Sequence, residues 1–107
     1  MGFKTKGERI EAEHYRAVAS SALADIEKSY LYDHMGRAKA IADDVILDKA
    51  IKEAVPKKNR VSAVRLLHKL QTTQDKEGLE DTINQLQKYL GYERNKNNPK
   101  LWNYVGV

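Results

Sequence analysis

The sequence predicts an all-α fold: a compact bundle of four main helices with a short C-terminal aromatic segment packed on it. Three observations carry this. The chain has only two prolines, Pro56 and Pro99. Ala, Leu, Lys, Glu and Gln, which favour helix, are abundant. Apolar residues recur three and four positions apart, with no β-branched alternation over four or more residues. A length of 107 residues suits a single domain, 1–107, with a modest core. Within it, residues 1–6 form an N-terminal tail and 93–107 a C-terminal segment.

A first helix runs from about Gly7 to Tyr32. Thr5-Lys6-Gly7-Glu8 has the form of a capping box, in which hydroxyl and carboxylate satisfy orphan backbone amides. Tyr15, Ala19, Ala22, Ile26 and Tyr30 share one face. The stretch Ala17–Ala24 is rich in small residues, which let another helix come close. It suits tight internal packing or a homodimer contact.

Asp33-His34-Met35-Gly36 is the first break, with Gly36 as the residue able to turn left-handed. An unbroken helix from Gly7 to Val55 would be about 70 Å long, too long for a compact domain of this size. The alternative is one helix kinked near Gly36. A second helix spans about Arg37 to Ala54. Ala38, Ile41, Ala42, Val45 and Ile46 share a face, whereas Leu47, Ala50, Ile51 and Ala54 lie on a rotated one. A drifting face suggests a partner for each half, and makes this the central helix. Asp43, Asp44 and Asp48 form an acidic edge. They lack a glycine-marked ligand loop and diverge at helical spacing, so they read as a solvated face rather than a cation site.

Pro56 stops that helix by disfavouring helical geometry at Val55. Asn59 is a good N-cap for a third helix, Arg60 to about Gln71. Ala63, Val64, Leu66, Leu67 and Leu70 cover one side of it, and Ser62, Arg65 and Lys69 line the other. Thr73 reads as the N-cap of a fourth helix. Asp75 and Glu77 in its first turn and Lys88 near its end complement the helix dipole. Leu79, Ile83, Leu86 and Leu90 make its narrow apolar stripe, and Gly91 is a natural C′ residue with Tyr92 packing back. The run Arg94–Asn98 reads as a polar linker. Asn98-Pro99 then opens a short helix. Leu101, Trp102, Tyr104 and Val105 make the tail either a lid on the bundle or an anchor for a partner.

Composition narrows function. Without cysteine there is no disulfide framework, thiolate zinc site or cysteine nucleophile. No signal-peptide-like or membrane-spanning apolar run occurs, which points to a cytoplasmic protein without membrane insertion. Lys6 stands where a myristoylation motif wants Ser or Thr. The histidines His14, His34 and His68 fall on three different elements, and no hydrolase, phosphate-loop or dinucleotide motif is present. An acid–base pair could still assemble in three dimensions, for instance from Glu11, His14 and Tyr15. No catalytic, cofactor or metal-binding residue is therefore assigned. No motif ties the chain to a family; a short, basic, cysteine-free chain containing Asn and Lys has the character of a small bacterial or phage protein.

The net charge of +4 is uneven. Val55–Thr73 holds Lys57, Lys58, Arg60, Arg65 and Lys69 and no acid, while the flanking sequence is nearly balanced. These five cations, with Trp102 and Tyr104 as apolar anchors, predict a protein-partner surface of an adaptor, inhibitor, immunity-type or assembly protein. The alternative partner is DNA or RNA. There the same cations contact phosphates, and Tyr92, Arg94, Lys96, Lys100 and Trp102 follow a single strand. A helix-turn-helix fits poorly, because Val55–Asn59 is long, lysine-rich and without glycine.

Overall fold

The computed structural model describes residues 6–106, with side chains from residue 12 onward. The Thr5–Glu8 capping box and the Glu11 side chain lie outside the described residues. The elements are α1 (Lys6–Leu31), α2 (Met35–Ala42), α3 (Val45–Ala54), a one-turn 3-10 helix (Lys57–Asn59), α4 (Arg60–Thr72), α5 (Lys76–Leu90), β1 (Tyr92–Arg94) and β2 (Trp102–Tyr104).

The long α1 organises the molecule, with α2, α3 and α5 packed on it. This corrects the expectation that the second helix is central. Ala19, Leu23 and Ile26, at spacings of four and three, are fully buried. Small residues admit α5 closely enough for the buried Gln87 amide to donate to the Ser20 carbonyl at 3.0 Å. The helix ends in a Schellman motif: His34 N–H donates to the Ser29 carbonyl at 2.7 Å, and Asp33 N–H to that of Tyr30 at 3.2 Å. The residue at φ 61° is Asp33. Gly36, expected to take that role, lies inside α2 instead.

The expected second helix is two helices. Asp44 has extended backbone (φ −69°, ψ 132°), and its carboxylate accepts from Ile46 N–H at 2.9 Å, capping α3. The break resets the buried face. Ala38 and Ala42 are buried on α2, and Leu47, Ala50 and Ile51 on α3. Val45 and Ile46, expected in the core, are exposed, Val45 at 78 %. The drifting apolar face thus marks two helices at different angles, both contacting α1 and α4.

Val55 is extended before Pro56 and ends α3. On α4, Ala63, Leu67 and Leu70 are buried. Asn59 precedes α4 without a side-chain capping bond. Thr73 closes the end of α4, its hydroxyl donating to the Lys69 carbonyl at 2.7 Å, and so is not the cap of the next helix. That role falls to Asp75, which accepts from Gly78 N–H at 2.7 Å. Leu79, Ile83, Leu86 and Leu90 of α5 are buried, and Gly91 terminates it left-handed at φ 92°.

The C-terminal segment is a β-hairpin, not a short helix. β1 and β2 pair antiparallel, with Tyr92 opposite Tyr104 and Arg94 opposite Trp102. Asparagine turn chemistry shapes the connection. Asn95 Oδ1 accepts from Asn97 and Asn98 N–H at 2.8 and 3.0 Å, and Asn98 Oδ1 from Lys100 N–H at 3.2 Å. Asn98-Pro99 therefore makes a turn instead of opening a helix. No helix among the described residues is long and apolar enough to cross a membrane.

Candidate functional site

The basic block forms one surface. Lys57 and Lys58 sit on the 3-10 turn, Arg60 begins α4, and Arg65 and Lys69 follow along its outer side; all five are exposed. The ion pairs among the described residues are Lys39–Asp43, Lys52–Asp48 and Arg94–Glu27, so none of the five takes part in one. Val61, Arg65 and His68 recur at spacings of four and three and share the outer stripe with Lys69. Val61 is 66 % exposed in the midst of these charges. It was not among the residues expected at the site. The signal was available, because Val61 lies opposite Leu70 on the helical wheel.

The C-terminal candidates separate. Arg94 is committed within the molecule. Its guanidinium donates through both terminal nitrogens to the Glu27 carboxylate (2.9 Å from Nη1 to Oε1), through Nε to Asn84 Oδ1 at 2.8 Å, and through Nη1 to the Pro99 carbonyl at 2.8 Å. It also stacks 4.4 Å from the centre of the Trp102 ring. Trp102 packs against the core beneath it. Both residues thus fasten the hairpin through contacts within the molecule. Tyr92 is partly buried and meets Tyr104 edge-on at 5.3 Å. Tyr104 stays half-exposed, with the Arg16 guanidinium 4.6 Å from its ring centre. Lys96 and Lys100 are exposed on the connecting turn.

The fold joins two of these regions. A cleft of about 530 Å³ lies where the 3-10 turn, the end of α5 and the hairpin converge, lined by Asn59, Lys88, Tyr89, Tyr92 and Val105 among others. A separate cleft of about 680 Å³ lies between the ends of α1 and α4, over Ile26, Ala38, Leu70 and Leu79. It holds none of the predicted site residues.

The acidic edge has local explanations. Asp43 pairs with Lys39 at 3.2 Å, Asp48 with Lys52 at 2.9 Å, and Asp44 caps α3. No group of three or more potential metal ligands occurs among the described residues. His14 lies beside Tyr15, ring centres 5.8 Å apart, while His34 lies in the turn between α1 and α2 and His68 on α4. Comparison with protein-family models, curated proteins and solved structures gives no match.

Proposed function

We propose that the chain is a small non-catalytic binding protein that docks on a protein partner, in an adaptor, inhibitor, immunity-type or assembly role. The observation that carries this reading is the outer side of the 3-10 turn and α4. Five cations stand there without an ion-pair partner among the described residues, around an exposed valine. Cations alone suit phosphates and carboxylates equally. An apolar residue in their midst favours a protein, whose interfaces pair an apolar centre with a charged rim.

Retention of a native-host protein by the wild-type chain from nuclease-treated lysate, and its loss with the double variant Arg65→Glu, Lys69→Glu, is the expected result. Equal retention by both chains would remove α4 from the site. The basic surface by itself also supports nucleic-acid binding. That reading requires affinity for DNA or RNA that falls steeply with salt as counterions are released, and titration at two salt concentrations separates it from the first.

A further inference from the structure

We infer that the basic face and the cleft beside it form one composite site, whose occupant is an acidic peptide segment of a protein partner carrying a single aromatic or large aliphatic anchor. This rests on the reading of α4 as a protein-docking face. The 3-10 turn links the two halves: Asn59 lines the cleft, while Lys57, Lys58 and Arg60 stand immediately beside it in the chain.

The cleft is apolar where an anchor would enter, with Tyr89, Tyr92 and Val105 in its walls. Its volume of about 530 Å³ falls among those of ordinary small-ligand sites. The backbone holds its outer wall in place. Val105 and Gly106 N–H both donate to the Gly91 carbonyl, at 2.7 and 3.2 Å, laying the chain across the end of α5. An anchor thus meets a preformed wall.

Charge sets the direction of the occupant. Glu93 on the hairpin and Lys88 on α5 both line the cleft and offset each other, so the net attraction for acids comes from beyond it. The five cations start beside Asn59 at the cleft's edge, on the 3-10 turn, and run along α4 to Lys69. From Asn59 to Lys69 the helix rises about 15 Å, which an extended segment covers in roughly five residues. The acids of the partner segment therefore fall within about that many residues of the anchor, on one side of it.

The test is fluorescence anisotropy of the full chain with labelled oligoglutamate peptides bearing one Phe at either end, and with matched peptides carrying Ala in its place. At low salt one Phe peptide is expected to bind at least about fivefold more tightly than its Ala counterpart, the gain of burying part of an aromatic ring. Val105→Ser, at an exposed position, should shrink that ratio. Arg65→Glu with Lys69→Glu should weaken both peptides alike. Equal affinity for Phe and Ala peptides would overturn the cleft and leave docking on the basic face standing. Failure of every peptide to bind at low salt, or tighter binding of a single-stranded oligonucleotide of equal charge, would overturn both.

Discussion

Arg94 reaches back to Glu27, 67 positions earlier in the chain, and closes a two-pronged ion pair that ties the hairpin to α1. The Glu27 side chain is only 9 % exposed and that of Arg94 27 %. Removing one partner of such a pair leaves a desolvated charge unmatched. Arg94→Ala is expected to destabilise the fold by about 2–4 kcal/mol, somewhat less than for a wholly buried pair because the guanidinium keeps some water contact. Arg94→Lys should lose about 1–3 kcal/mol, since an ammonium cannot reproduce the fork, the Asn84 and Pro99 bonds and the stack on Trp102. Urea denaturation gives both values. Near-neutral Arg94→Ala would show that the hairpin is not held through this pair.

Two glycines should respond to alanine with opposite signs. Gly91 sits at φ 92°, where a Cβ would lie 2.8 Å from Tyr104 Cε1 and 2.9 Å from the Gly106 carbonyl carbon. Gly91→Ala adds left-handed strain to a clash with backbone, a loss of about 2–4 kcal/mol. Gly36 lies inside α2, and a methyl group added there would meet nothing within 4 Å. Gly36→Ala should therefore gain about 0.5–1 kcal/mol from helix propensity. Thermal melts of the two variants, run in parallel, check the signs.

Much of the helical layout was legible because helices write their buried face into the sequence at a fixed period. Ala19 with Ile26, Leu67 with Leu70, and Ile83 with Leu86 were each visible as core in this way. Failures came where one residue type serves several local structures. Asp44 read as part of an acidic edge, although aspartate is also among the best N-caps, and only the backbone shows which role it fills. Asn98-Pro99 fits a helix start and a turn equally well. Its neighbour Asn95 decides the matter by accepting two backbone N–H groups. The candidate site divides in the same manner. The exposed cations of α4 followed from helix geometry alone. The pairing of Arg94 with Glu27 depends on tertiary closure, for which no local pattern gives a signal.

The break at Asp44 makes a sharp prediction for three consecutive residues. Val45→Thr and Ile46→Gln, at exposed positions, should each change stability by no more than about 0.5 kcal/mol. Leu47→Ala should cost about 2–5 kcal/mol, because Leu47 is fully buried and truncation leaves a cavity. Asp44→Ala should cost about 1 kcal/mol through loss of the cap. A large loss at Ile46 instead of Leu47 in chemical denaturation would place the helix in the other register.

The basic face is held at some expense to the fold, and this separates binding from stability. Arg65 and Lys69 are like charges four residues apart on α4, and neither has an ion-pair partner among the described residues. Such a pair is unfavourable, whereas Glu placed four residues before Lys is the favoured orientation. Arg65→Glu converts the first arrangement into the second and should raise stability by about 0.4–1 kcal/mol at low salt. Salt screens exposed charges, so the gain should shrink in high salt. The same substitution should weaken partner binding, because it puts an acid at the centre of the cationic stripe. Melting curves of the wild-type chain and the variant at low and high salt, set beside their partner affinities, test both halves. A variant that is less stable at low salt would mean that Arg65 has a structural partner.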